Sequence, residues 1–256
     1  MAKEGKTIQS VDRAIEILRC FEKNEELGVT EIGKMVNLHK STAFNLISTL
    51  EKAGLLTKDE NSSRYKLGIE LFRLGTLVNS NLRKMCMPYL EKLVGMYSET
   101  VNLVARNDDL VIYLEKIDSP HSMRISTNEG MRLPMYSTAV GKSIMATLPK
   151  NEVEDIIGKI SFCKFTEYTI CGAGELLDQL QSIREKGYAE DIQEYEIGLT
   201  CVAAAIRDYT GIANYAISVS GPHSRMTEEV RSRIGQTLVE FTGELSRKMG
   251  YWHIDI

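Results

Sequence analysis

VTEIGKMVNLHKSTAFNLISTLEKAGLL, residues 29–56, reads as two short helices separated by a tight turn. Thr30 is the expected N-cap of the first, with Glu31 in its first turn and Ile32, Met35 and Val36 facing inward. Asn37-Leu38 makes the turn. The second helix sets Ala43, Leu46, Ile47 and Leu50 on a buried face and stops at Gly54. Two helices in this arrangement predict a helix-turn-helix unit. The outer face of the second helix carries Lys40, Ser41, Thr42, Asn45 and Ser48, without one acid from Lys40 to Leu50. A solvated helix face usually mixes Glu with Lys, so an acid-free face suits a phosphate-lined groove better than a chance run of small polar residues. On this reading Lys40, Ser41 and Thr42 grip phosphates. Asn45 pairs with N6 and N7 of an adenine, and Phe44 covers a thymine methyl.

Working outward, Val11, Ala14, Ile15, Leu18 and Phe21 form a helical stripe before this unit. After it, Leu55-Leu56-Thr57, the polar run KDENSS and Arg64-Tyr65-Lys66-Leu67 predict a short hairpin, a wing. Arg64 and Lys66 are expected to reach a backbone phosphate or the minor groove. Residues 7–68 are therefore read as a DNA-binding domain, with double-stranded DNA as the partner.

The 256 residues are enough for two domains, and 43% hydrophobic with 26% charged residues is an ordinary globular balance. Residues 1–68 carry a net charge of +1 against −5 for the remainder, which permits a DNA-binding N-terminus without demanding one. No apolar run approaches the roughly 20 residues of a membrane span, and MAKEGKTIQS has no signal-peptide core, so a cytoplasmic protein is expected. Five cysteines without a C-x-x-C pair argue against a disulfide framework or zinc ribbon. The four histidines are scattered; no metal or cofactor is expected.

Residues 69–84 read as a linker helix with Ile69, Leu71, Phe72, Leu74, Leu77, Val78 and Leu82, more apolar surface than a solvated linker hides. It either packs on its own domains or pairs with another subunit. Residues 85–256 mix hairpins with helices. A helix follows Pro88 near Tyr89–Tyr97, and a hairpin joins Val101–Ala105 to Leu110–Leu114. A strand carries Met123, Ile125 and Thr127, and helices lie near 140–148, 152–160 and 175–186. Strands span 201–206 and 212–219, and a last helix opens at Thr227. The fold class is α+β with a mainly antiparallel sheet.

YSTAVGKS, residues 136–143, ends like a phosphate-binding loop. Such a loop needs a glycine five positions before its Gly-Lys pair, where Tyr136 stands instead. The stretch is read as a helix start with free amides, able to hold an anion. Ser218 and Ser220, two apart on a strand, point to one face, and Asp191 and Cys201 are further candidates. Taken alone, the two hydroxyls are better explained by bonds to neighbouring backbone than by a ligand. An enzyme using this pocket is the alternative: Cys201 as nucleophile, or Asp191 with Glu194 or Glu196 as an acid/base pair. Cys201 sits in the apolar run CVAAAI with no histidine nearby in sequence, and nothing else marks a reaction centre.

SVDRAIEILRCF, the 29–56 stretch and RYKLG resemble the winged helix-turn-helix of the isocitrate lyase regulator (IclR) family of transcriptional regulators. GMRLPMYSTAVGKS, REKGYAEDIQEYEIGLTCVAAAI and AISVSGP resemble that family's effector domain, so the likeness runs nearly end to end. It implies a GAF-like effector domain, dimers able to associate into tetramers, and a small-molecule effector. Family members commonly carry His or Tyr followed by Arg where this chain has Phe44-Asn45, so the base readout differs. With that pattern, the pocket is expected to hold a small carboxylate on the amides of Ala139 and Val140 and the hydroxyls of Ser218 and Ser220. Cys201 lines it, Asp191 accepts from a ligand hydroxyl, and Met123, Ile125 and Leu133 wall it. The KIDS…MYSTAVGKS region and the ending MGYWHIDI are similar to family members responding to 2-keto-3-deoxygluconate, which favours a sugar acid or keto acid.

Overall fold

The computed structural model describes residues 8–77, 80–125 and 127–251. Its first elements are α1 (Gln9–Arg19), a 3-10 turn at Cys20–Glu22, α2 (Val29–Met35) and α3 (Lys40–Lys52). The antiparallel hairpin β1 (Leu56–Lys58) and β2 (Tyr65–Leu67) and then α4 (Ile69–Leu77) follow. Ile17, Phe21, Leu27, Ile32, Ala43, Ile47, Leu50, Leu56 and Tyr65 form one core beneath them. α2 begins a residue before the expected cap, from Gly28, because the Glu31 carboxylate reaches back to accept from Gly28 N at 2.7 Å. Thr30 therefore lies inside the helix, and Met35 at its end is exposed rather than inward. The turn to α3 puts Asn37 at φ 51°, a left-handed conformation that asparagine tolerates.

The wing is seated by two glycines. Gly54 closes α3 at φ 72°, and Gly68 lies so near that a Cβ on it would fall 2.0 Å from Gly54 O. Gly68 N donates to Leu55 O at 2.8 Å, so the hairpin returns against the end of α3.

The chain divides into two compact units, residues 1–80 and 81–256. The second unit begins within α5 (Ser80–Tyr97) and continues through β3 (Thr100–Asn107), β4 (Leu110–Ile117), β5 (Arg132–Pro134) and α6 (Ala139–Met145). Then come α7 (Lys150–Lys159), α8 (Ala173–Lys186), β6 (Ala189–Ile192), β7 (Leu199–Arg207), β8 (Ala213–Pro222) and α9 (Glu228–Lys248). The strands form one sheet in the order β5-β4-β3-β8-β7-β6, with every neighbour antiparallel. Alternation along the strands gives the sheet two buried faces. Val101, Leu103, Val202, Ala204, Ile217 and Val219 meet α5 and α9 on one of them. Val104, Ala189, Ala203 and Ala216 meet α6, α7 and α8 on the other.

Three expectations change. α5 runs through Pro88 instead of starting after it, because Leu82, Cys86, Tyr89, Leu90 and Leu93 all bury on the sheet and outweigh the missing N–H. Met123, Ile125 and Thr127, expected on one strand, lie outside any strand, and the sheet edge is instead Arg132–Pro134, paired with Leu110–Ile112. β6, four residues long, is a strand that the sequence pattern did not announce.

Gly141 is where α6 approaches Met135: a Cβ there would lie 2.2 Å from Met135 Cα. Gly141→Ala should lower stability by about 1–3 kcal/mol or more through overpacking, read by chemical denaturation. Gly158→Ala, in the exposed face of α7 with nothing within 4 Å, should instead raise it by roughly 0.5–1 kcal/mol.

Candidate functional site

On α3, burying Ala43, Ile47 and Leu50 turns Lys40, Ser41, Thr42, Phe44, Asn45 and Thr49 outward, with Ser48 half-buried beside them. Phe44 is 50% exposed, an aromatic ring held in water by the helix that carries it. The basic wing residues are distributed differently from expectation. Arg64 is part-exposed but engaged: Nη2 donates to Glu31 Oε2 at 2.7 Å and to Glu26 O at 3.0 Å, so its charge is shared with the first turn of α2. The Gly28 amide and then the Arg64 cation hold Glu31 below the usual carboxylate range. Lys66 pairs with Thr57 in the hairpin register and borders a depression with Gly68, Ile69 and Phe72, on the α4 side. Lys58 pairs with Tyr65 and faces the other way, sharing a depression with Lys40, Ser41 and Phe44. Lys58 is thus the wing cation adjoining the recognition helix, and it was hidden within a polar loop in the sequence.

In the second unit, cross-strand register assembles the predicted polar residues. Asp191 opposes Cys201, and Cys201 opposes Ser220; one row along, Ala203 opposes Ser218, which opposes Asn102. Directly opposed residues share a face, so Asp191, Cys201, Ser218, Ser220 and Asn102 all point toward α6. Asp191, Cys201 and Ser218 line a cavity with Leu133, Thr138, Ala139 and Val140. Tyr113, Tyr195 and Leu199 complete the wall. Free space for the centre of a water molecule is about 20 Å³, room for one water, so an organic ligand enters only if the lining moves. α6 has seven residues, too short to lend much macrodipole. What it offers is two amides: Thr138 Oγ1 accepts from Gly141 N, while those of Ala139 and Val140 find no acceptor among the described residues.

Two expected walls stand elsewhere. Met123 is 68% exposed, and Ile125 is half-buried with its carbonyl accepting from Thr100 Oγ1; neither borders the cavity, because their segment is not a strand of the sheet. Ser220 sits behind the lining. Asn102 Nδ2 donates to Ser218 Oγ at 3.3 Å and Ser220 Oγ at 3.4 Å, while Thr127 Oγ1 donates to Asn102 Oδ1 at 2.6 Å. Asn102 was legible as the polar residue within VNLV, a run whose neighbours are apolar.

Behind the cavity lies a buried charge cluster that the sequence reading did not assemble. Lys142 of the YSTAVGKS stretch is fully buried; its Nζ donates to Gln179 Oε1 at 2.7 Å and forms an ion pair with Glu194. Glu194 Oε2 has no hydrogen-bond partner, and Asp191 Oδ1 accepts from Glu194 N at 2.8 Å. Burial, then the neighbouring Glu194 charge, push the Asp191 carboxyl up to about 7, partly offset by Lys142. Burial also raises Glu194. The Cys201 thiol is driven far above its ordinary value by burial and then by Asp191, which keeps it a thiol and a poor nucleophile.

Residues 10–60 match the IclR helix-turn-helix domain, and residues 74–247 match the C-terminal domain of the bacterial transcriptional regulator IclR. The HTH-type transcriptional regulator KdgR of Escherichia coli is 33% identical over 97% of this chain and 95% of its own length. The HTH-type transcriptional repressor AllR of Escherichia coli is 30% identical over 96% and 92%. Among solved structures, the Thermotoga maritima IclR superposes with a TM-score of 0.74 at 31% identity, covering 96% of this chain and all of that one. No helix among the described residues is long and apolar enough to cross a membrane. An outward-facing recognition helix on a winged unit, an antiparallel sheet with a small cavity on one face, and these end-to-end matches place the chain in the IclR family of DNA-binding transcriptional regulators.

Proposed function

We propose that this chain is a cytoplasmic, one-component repressor that responds to a small carboxylate, a sugar acid or keto acid. Residues 7–68 bind operator DNA, 69–84 link and pair subunits, and 85–256 bind the effector. The carrying observation is the convergence of Ser218, Asp191 and Cys201 from three adjacent strands on the open amides of Ala139 and Val140. Two unpartnered N–H groups and a hydroxyl are what a carboxylate requires. Asn102 already donates to Ser218 Oγ, which leaves the serine's own proton for a ligand. An effector acts by preferring one arrangement of the paired DNA-binding units, and its differential affinity sets the size of the response. Catalysis is not part of this reading, since burial and the Asp191 charge beside it hold the cavity's thiol in its neutral form.

On DNA, Lys40, Ser41 and Thr42 meet phosphates, Asn45 and Phe44 meet base edges, and Lys58 joins them from the wing in place of Arg64. Lys40→Ala and Lys58→Ala should each weaken binding evenly across sequences and reduce the salt slope by about one, in gel shifts at several salt concentrations. Asn45→Ala should cost roughly 1–3 kcal/mol on the operator and little on random DNA. Arg64→Ala should leave the salt slope unchanged.

α4 exposes Ile69, Phe72, Leu74 and Leu77, an apolar surface around much of one helix. We assign it to subunit pairing; Val78, expected in the same stripe, lies outside the described residues. Leu74→Glu with Leu77→Glu should yield monomers by sedimentation that no longer protect two inverted half-sites. An intact dimer in that variant ends the assignment.

Ser218→Ala should weaken a bound carboxylate by about 1–3 kcal/mol while leaving effector-free operator affinity unchanged. Calorimetry with a panel of small sugar acids and keto acids reads this directly. Unchanged affinity in Ser218→Ala places the effector elsewhere.

A further inference from the structure

Two carboxyls and one ammonium share the buried region behind the cavity. Asp191 is 1% exposed, Glu194 6% and Lys142 0%. Lys142 Nζ is committed to Glu194 and Gln179, and Glu194 still has one oxygen without a donor. Lys142 therefore makes no direct bond to Asp191 and offsets its charge only in part. The groups facing Asp191 are Glu194 and Tyr195 from the segment after β6, Lys142 from α6, Cys201 from β7 and Tyr113 from β4. β8 contributes only the hydroxyl of Ser218 to the same wall. Among the ten residues lining the cavity, Asp191 is the one that carries a formal charge when ionised at neutral pH. An anionic ligand entering this space would face an unneutralised carboxylate at short range in a medium that screens poorly.

We propose that the acid effector binds together with one proton, which Asp191 takes up from solvent as the ligand's carboxylate enters. This rests on the reading that a carboxylate occupies the cavity. The proton comes from the buffer and forms an O–H bond on the Asp191 carboxylate; no other bond changes. Once neutral, Asp191 can donate to the ligand and still accept from a ligand hydroxyl through its carbonyl oxygen. The sign follows from linkage. Asp191 ionises near pH 7 in the free protein, and an adjacent anion raises that point further. Below about pH 7 the site is already protonated, so little proton is taken up and affinity is flat. Above it, each bound ligand draws up to one proton, and affinity falls by up to about tenfold per pH unit.

The test uses the full-length protein and 2-keto-3-deoxygluconate as the probe, which stays ionised from about pH 6 to pH 9. Titration calorimetry in buffers of different ionisation enthalpy counts protons, and Asp191→Asn removes the titrating group. Wild type should take up close to one proton at about pH 8.5 and lose affinity above neutrality. Asp191→Asn should bind with no proton uptake and with an affinity that no longer changes with pH. Because its side chain cannot ionise, the variant should also lose Asp191's share of the fall in melting temperature that wild type shows between about pH 4 and pH 7. Binding of the probe without proton uptake, or uptake that persists in Asp191→Asn, overturns this inference and leaves the carboxylate pocket standing. Absence of binding at every pH, with the Asp191-dependent melting shift intact, overturns the sugar-acid reading and this inference with it.

Discussion

The effector unit depends on the buried ion pair between Lys142 and Glu194. Lys142 is carried by α6, Gln179 by α8 and Glu194 by the segment leaving β6, so one ammonium ties together three separate parts of the cavity's surroundings. Such a pair adds little net stability compared with an apolar replacement of equal shape, but breaking it leaves an uncompensated charge, typically at a cost of about 3–5 kcal/mol. The arrangement therefore acts as a registration device. α6 has to lie where Lys142 reaches Glu194, which requires the close approach at Gly141 and brings the Ala139 and Val140 amides over the sheet. The position of Asp191 follows from the same constraint. It stands three residues before Glu194, accepts that residue's amide, and receives the electrostatic excess that the pair does not absorb.

The DNA-binding unit uses a smaller version of the same device. The Glu31 carboxylate caps the start of α2 at Gly28 and anchors Arg64 of the wing. Exposed ion pairs are worth little individually, so the value of this one is geometric. It ties Arg64 to the start of α2 and leaves Lys58 as the wing cation on the side of α3. Gly54 and Gly68 complete the placement, because their backbones meet where no side chain fits.

The helix-turn-helix was readable because local rules specify it: a 3.6-residue apolar period, a left-handed turn residue and a glycine stop. The same rules located the last helix from Thr227, whose side chain accepts from Val230 N, and the hairpin of β3 and β4. Failures fell where a long-range contact overrode a local preference. Pro88 did not break α5, because five side chains of that helix bury on the sheet. β6 is too short to show a period, and exists because β7 offers it a ladder from Thr200 to Ala203. Met123 and Ile125 alternate like a strand but have no strand partner, so they lie outside the sheet.

The sequence by itself determined the family, the two-part organisation, the outward face of α3 and three of the polar groups that line the cavity, Asp191, Cys201 and Ser218. These follow from periodicity and motif order, which are properties of neighbouring residues. Tertiary structure decided what those residues confront. Only pairing across three strands sets Asp191, Cys201 and Ser220 in one row, and only burial makes Lys142 an internal counter-ion instead of a phosphate ligand. Which lysine of the wing adjoins the recognition helix was likewise a matter of hairpin register. Charge acquires its meaning from distance and dielectric, and neither is written along the chain.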